Sequence, residues 1–454
     1  MRGFVPTPDI IVDGMIDRLF AETTPTENST ILDPGCGEGA FIDGLIRWSQ
    51  RVKTAVPKIT GIESHPERAK LARAKYKQYP TVEIKCRDFL KESRAKYDYI
   101  IGNPPYVSIL HILEHEREEY RQRYESARGR FDLYMLFFEQ SLRNLQPDGR
   151  LVFITPEKFL YVNTGKALRD LLSRHRIVEL SLIAEDAFKG LVTYPTVTVI
   201  DRKEPLGKTL FVDRSNSKHK VSLPKNGSSF LSVLGDNAKI RGTRKLEDLC
   251  VRISCGIATG ADAVYVRERT ELPRSLLPFA YPTISGRQLV NDGFAGNSEV
   301  MLIPYDKRGR LTPESKLGNL ADELLASKDA LLKRVCTKTK PWYAFHDNVP
   351  FDEMLLPKIL CKDISKTPKF WADADGSLVP RHSVYYIVPK DSNSLEAILE
   401  YLNSPDAQSW LKANCQRAAN GFLRVQSSVL KRLPIPDSLA GGKHRRKCPE
   451  TAVG

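Results

Sequence analysis

Two short stretches carry side chains whose types and spacing could do chemistry. Asn103-Pro104-Pro105-Tyr106 ends the apolar run Tyr97-Asp98-Tyr99-Ile100-Ile101-Gly102, and well upstream the chain reads Leu32-Asp33-Pro34-Gly35-Cys36-Gly37-Glu38-Gly39. The first suits work on a flat amine. An exocyclic amine on an aromatic ring is a poor nucleophile, because its lone pair is delocalised into the ring. If Asn103 Oδ1 and the Pro104 carbonyl each accept one N–H, the nitrogen is drawn toward tetrahedral geometry and its lone pair toward an electrophilic methyl. Pro104 and Pro105 hold that backbone rigidly, and Tyr106 offers an aromatic face. No base need act before transfer, since the proton can leave afterward. A Pro-Pro turn that merely ends a strand is the plain alternative, and it loses weight if a cofactor site stands beside it.

The upstream stretch follows a strand and precedes a helix. Gly35, Gly37 and Gly39 let the backbone turn tightly and approach a ligand. A dinucleotide fingerprint would read GxGxxG; here an acid, Asp33, leads Asp-x-Gly-x-Gly-x-Gly. A pyrophosphate would be repelled by that acid, whereas a cationic amino-acid cofactor would be attracted. Cys36 is small, and packing is its expected role. The next strand ends Gly61-Ile62-Glu63, an acid placed as those that grip two ribose hydroxyls are. The third is followed by Cys86-Arg87-Asp88-Phe89, where an acid and an aromatic could take the amine and face of an adenine ring. Each carboxylate alone reads as a solvated loop residue. Three at consecutive strand ends, in this order, point to S-adenosylmethionine.

These residues need a scaffold, and the first two hundred positions supply one. Apolar, β-branched runs at 30–32, 59–62, 82–84, 97–101, 151–154, 177–183 and 196–200 alternate with helical patterns at about 8–20, 39–50, 66–78, 131–145 and 164–173. That rhythm predicts βαβ units, an α/β fold with a doubly wound, mostly parallel seven-stranded sheet, and ligands at the carboxyl ends of its strands. With 454 residues the chain exceeds one ordinary core. The expected division is a catalytic domain at 1–205, a linker or irregular edge at 206–244, a mixed α+β domain at 245–436 and a basic tail at 437–454. The formal charge of +14 favours a polyanionic partner. The eight cysteines form no CxxC pair, and His111 and His115 are not part of an HExxH, so no metal is expected. No membrane span or signal-peptide core is visible, which makes the cytoplasm the expected location.

Taken in order, Val5-Pro6-Thr7-Pro8, Asp33 to Phe41, Glu63, Asp88-Phe89, Asn103 to Tyr106, Thr155-Pro156 and Phe188 make the first two hundred residues resemble the γ-class N6-adenine DNA methyltransferases of restriction–modification systems. The resemblance implies that Thr7 and Pro8 lie over the methionine part of the cofactor, that Glu63 holds the ribose, and that Asp88 and Phe89 hold the adenine. It implies that Asn103 and Pro104 hold the target N6 while Tyr106 and Phe188 sandwich a base flipped out of duplex DNA. Relatives also place an extra antiparallel strand between the last two parallel ones, matching the runs at 177–183 and 196–200. The back half resembles their target-recognition domain more loosely, through Ser254-Cys255-Gly256-Ile257-Ala258-Thr259-Gly260-Ala261-Asp262-Ala263-Val264-Tyr265, Ser285-Gly286-Arg287, Pro368-Lys369-Phe370-Trp371 and Leu402-Asn403-Ser404. There Lys358, Lys362, Lys366 and Lys369, interleaved with Phe370 and Trp371, form the expected DNA-facing stretch.

The chain starts at the cofactor motif and shows no paired-carboxylate-plus-lysine nuclease signature, so methylation without cleavage is expected. A monomer is expected, with a cognate restriction endonuclease as a separate partner and no stable complex. The rival readings are a methyltransferase acting on adenine in RNA or on a protein glutamine, whose amide is also planar and delocalised, and a non-catalytic DNA-binding protein. The long basic back half disfavours the first two, and the intact set of acids with Asn103 to Tyr106 disfavours the third.

Overall fold

The apolar runs of the front half are buried from both sides, so they form the middle layer of a helix–sheet–helix sandwich. The computed structural model describes residues 6–91, 95–184, 194–205, 207–234, 244–290, 293–296, 298–418 and 421–440. The chain divides into two compact units, Met1–Leu234 and Gly235–Gly454. Among the described residues no helix is long and apolar enough to cross a membrane.

The first unit runs α1 (Asp9–Leu19), β1 (Thr30–Asp33), α2 (Ala40–Val52), β2 (Lys58–Glu63), α3 (Pro66–Lys75), β3 (Val82–Cys86), β4 (Tyr97–Gly102), α4 (Glu114–Arg123), α5 (Leu133–Asn144), β5 (Leu145–Pro156), α6 (Lys166–Leu172), β6 (Arg176–Leu182), β7 (Pro195–Asp201), β8 (Thr209–Val212) and β9 (Lys218–Val221). The sheet order is β3-β2-β1-β4-β5-β7-β6-β8-β9. β1 to β5 pair in parallel, and β7 lies antiparallel between β5 and β6. The order reverses between β1 and β4, and there the carboxyl ends of four strands surround a crevice. Successive strand residues serve opposite layers. Ile101, Val152 and Ile154 pack with Val12, Ile16, Ile42 and Leu45 of α1 and α2. Ile100, Leu151 and Phe153 pack instead with Leu136, Phe138 and Leu172 of α5 and α6.

Two expectations need correction. The sheet has nine strands rather than seven, and residues 209–221 of the segment read as a linker or irregular edge at 206–244 belong to it. β8 pairs parallel with β6, and β9 returns antiparallel to β8. The polar run that suggested a linker is the hairpin turn: Asp213 Oδ1 accepts the N–H groups of Ser215 (2.9 Å) and Ser217 (2.8 Å), and Asn216 takes the left-handed φ of 63°. Phe211, Val212 and Val221 are buried, so a short amphipathic hairpin closes the sheet edge.

The second unit holds two four-stranded sheets. One joins Cys250–Cys255, Val384–Pro389, Lys358–Lys362 and Phe370–Asp373 through antiparallel pairs. The other joins Val266–Glu268, Glu299–Leu302, Ala280–Ile284 and Val379–Pro380. This mixed architecture corrects the expected DNA-facing stretch. Lys358 is fully buried and ion-paired with Asp373, and Phe370 is buried on the opposite face, because these paired strands have core on both sides. Lys366 and Lys369 are exposed. Of the expected tail, Asp437–Ala440 is helical and 441–454 lie outside the described residues.

Candidate active site

Each acid of the crevice is placed by the local logic of a strand followed by a turn. β1 ends at Asp33, and the loop to α2 is tied down at several points. The Cys36 N–H donates to the Ile62 carbonyl (2.9 Å), the Gly37 N–H to Glu63 Oε2 (3.1 Å) and the Gly39 N–H to the Cys36 carbonyl (2.8 Å). Gly37 and Gly39 take φ of +52° and +88°, a region that side chains disfavour. Glu63, buried at the tip of β2, also accepts the His65 N–H (2.7 Å) and pairs with Arg68 of α3 (3.3 Å). Three partners fix its carboxylate in one orientation.

The crevice opens into a cavity of about 340 Å³, within the range of small-molecule sites. Of the residues singled out from sequence, Thr7, Gly35, Cys36, Glu63, Asp88, Phe89, Asn103 and Pro105 line it. Asn103 Nδ2 donates to Thr7 Oγ1 (3.0 Å), so the chain before α1 and the end of β4 meet at one wall. With the nitrogen taken by Thr7, the amide oxygen has the acceptor's part. Asp88 accepts the Leu90 N–H (3.0 Å), and burial raises its carboxyl pKa. Phe89 is buried with its ring centroid 5.2 Å from that of Phe137 in α5.

The other predicted residues sit elsewhere. Pro8 precedes α1, and its carbonyl accepts the N–H groups of Ile11 and Val12 (3.0 and 3.1 Å). Gly37 is spent on Glu63, and Pro104 is buried in the backbone turn. Tyr106 turns its ring edge-on to Tyr134, 6.4 Å between centroids, with a buried hydroxyl that meets no hydrogen-bond partner among the described residues. Phe188 and Val5 lie outside the described residues. Cys36 is buried with its sulfur where a Cβ on Gly61 would come within 2.9 Å, so it packs on β2. Burial, with Asp33 and Glu63 close by, pushes the thiol pKa far up and away from a nucleophile's range.

Asp33 stands behind the cavity wall. It is completely buried, Oδ1 accepts the Gly35 N–H only at 3.4 Å, and among the described residues Oδ2 meets no hydrogen-bond partner. Burial pushes its carboxyl up to about 8, against the Gly35 N–H and with the charge of Glu63 adding to the rise.

Sequence reasoning missed Arg68, Arg87, Tyr120, Leu133 and Phe137, which also line the cavity. Tyr120 is the one buried residue of α4, whose sequence otherwise reads as a solvated charged helix. Its only signal was an aromatic among charges.

A cavity at the β1/β4 reversal, walled by Glu63, Asp88 and Phe89 and reached by Asn103, defines an S-adenosylmethionine-dependent methyltransferase. Comparison with known proteins narrows the class. The Eco57I restriction-modification methylase family matches residues 43–188, and the TaqI-like C-terminal specificity domain matches residues 307–435. The chain is 25% identical over 499 residues to the Type II methyltransferase M.PaeR7I of Pseudomonas aeruginosa, covering 96% of this chain and 86% of that one. It is 27% identical over 502 residues to M.XhoI of Xanthomonas vasicola, with 96% and 91% covered. The structure of the Type IIL restriction-modification enzyme MmeI, solved in complex with DNA, shares the fold at a TM-score of 0.66 and 13% identity, over 94% of this chain and 67% of that one. These matches make the chain a methyltransferase similar to those of Type II restriction–modification systems, with a region similar to their specificity domain behind the catalytic one.

Proposed function

We propose that the chain methylates N6 of adenine, at a short defined sequence, in a base displaced from duplex DNA. The observation that carries this reading is the meeting of Asn103 and Thr7 at the wall of the acid-lined cavity. Glu63 would hold the ribose of S-adenosylmethionine, Asp88 and Phe89 the adenine, and Asp33 the cationic amino-acid end. Bound there, S-adenosylmethionine supplies an electrophilic methyl. Asn103 Oδ1 and the Pro104 carbonyl accept the two N–H groups of the target amine, and Pro104 and Pro105 keep those acceptors in place. Tyr106 and Phe188 would hold the ring between them. In the cell the reading is of a cytoplasmic monomer that protects sites from a separate endonuclease.

The test incubates the protein with methyl-labelled S-adenosylmethionine and, separately, plasmid DNA, RNA and release factor, followed by nucleoside analysis. Label is expected as N6-methyladenine in DNA. Label in cytosine, or confined to RNA or protein, overturns the reading.

Asp33 makes the cofactor site proton-linked. In the folded chain its carboxyl keeps a proton up to about pH 8, whereas an unperturbed one loses it near 3.8. The folded state therefore binds more protons than the unfolded state between those values, and the ligand-free protein loses stability as pH rises through that window. A cation needs the ionised form, so binding below pH 8 expels the proton. Affinity for S-adenosylmethionine is expected to rise with pH, by up to about tenfold per unit, and to level off above pH 8. Calorimetry in buffers of different ionisation enthalpy reads the released proton directly. The Asp33→Asn variant should bind weakly with no such slope; a native chain whose affinity is flat from pH 6 to pH 8 contradicts the role.

A further inference from the structure

We infer that the turn just after Asn103 to Tyr106 is a DNA contact of its own, in which Leu110 and Leu113 fill the gap left in the duplex by the displaced base and Arg128 and Arg130 hold the phosphates beside it. The inference rests on the base-displacement reading above.

The turn is pinned from below. Leu133 N–H donates to the Val107 carbonyl (2.8 Å), Ile109 N–H to the Phe131 carbonyl (3.2 Å), and Ser108 bridges to Asp132 in antiparallel register. Ile109 and Ile112 point into the core, while Leu110 is 67% and Leu113 58% exposed. A lone exposed leucine needs no explanation. Here two of them follow the buried Ile109 and Ile112 in turn, on a segment held by backbone hydrogen bonds. Val107, at the foot of the turn, lines the cofactor cavity, so the exposed pair is continuous with the reaction centre.

Two arginines stand on the segment that pins this turn. Arg130 directly precedes Phe131, whose carbonyl accepts the Ile109 N–H (3.2 Å) at the start of the turn. Arg128 and Arg130 are both exposed, and among the described residues neither meets a carboxylate within ion-pair distance. Gly129 between them turns at φ +58°, with nothing within 4 Å of where a Cβ would stand. Glu116, one of the acids that open α4, is turned back to the Leu113 N–H (3.2 Å). Two apolar side chains flanked by free guanidinium groups match the two needs of an opened duplex. The unstacked step requires an apolar filler, and the adjoining phosphates require cations.

The experiment uses the full chain carrying L110A and L113A, and two duplexes containing the methylated sequence. In one duplex every base is paired; in the other the target adenine lies opposite an abasic site and needs no unpairing. Methylation of the paired duplex is expected to fall by about tenfold or more, with the abasic duplex methylated within about threefold of the native rate. R128A with R130A should weaken both duplexes alike and flatten the dependence on salt. Equal losses from L110A/L113A on both duplexes, or no loss on either, overturn the inference. So does a shift in sedimentation from dimer to monomer with an unchanged ratio between duplexes, which assigns the face to self-association. 2-Aminopurine at the target position of the native complex separates the two levels. If its fluorescence does not rise, the base stays stacked and displacement itself falls.

Discussion

Replacing Asn103 by alanine is expected to lower methyl transfer by about a thousandfold while leaving the affinity for S-adenosylmethionine within about threefold of the native value. The asymmetry follows from where the amide sits. It lines the cavity but is tethered by Thr7 Oγ1, and the cofactor's proposed anchors, Asp33, Glu63 and Asp88, belong to other strand ends. What alanine removes is an acceptor that strengthens as the target nitrogen becomes tetrahedral, an interaction made mainly in the transition state. Asn103→Asp keeps an acceptor oxygen and should retain part of the rate, since Thr7 can donate to it instead. Single-turnover rates with saturating DNA, beside calorimetric cofactor titration, resolve the two quantities. Turnover unchanged in the alanine variant would sink the assigned role.

The second large effect is on the cofactor loop itself. Gly39 opens α2 at φ +88°, and a Cβ there would lie 2.0 Å from Tyr76 Oη and 2.7 Å from two carbons of its ring. Tyr76 has little room to yield. It is buried, and its hydroxyl lies 2.8 Å from both the Gly39 carbonyl and Asp43 Oδ1. A Gly39→Ala variant therefore meets left-handed strain of about 1–2 kcal/mol and overpacking of about 1–3 kcal/mol. Chemical denaturation should show a loss of about 2–5 kcal/mol. Cofactor binding should weaken with it, because the neighbours Glu38 and Ala40 line the cavity. A variant that unfolds at the native midpoint and binds normally would show that the loop has slack.

Much of the site was legible because its parts are local. Asp33, Glu63, Asp88 and Asn103 each end or follow a strand whose apolar run is read by eye, and alternation with helices brings those ends to one edge of a parallel sheet. The glycines at 37 and 39 announce a turn that only they take at low cost. Tyr120 and Phe137 were not legible as cavity walls. One is an aromatic in a charged helix and the other lies in an apolar helix, and only packing decides which side chain faces a void.

The same division explains the errors. Ser215-Asn216-Ser217 has the composition of a linker and also of a hairpin turn, and only pairing of β8 with β6 chooses between them. Lys358 reads as a surface cation until Asp373, fifteen positions on, arrives opposite it in the core. The order of elements, the tight turns and the strand-end positions of the three acids and of Asn103 to Tyr106 were determined by sequence alone, because each depends on neighbours a few residues away. Tertiary structure alone decided that Asp33 would be buried and its carboxyl pushed up to about 8, that Thr7 would orient Asn103, and that Leu110 would stay in water while Ile109 left it. Burial and hydrogen-bond partnership depend on segments distant in the chain, and no local pattern records them.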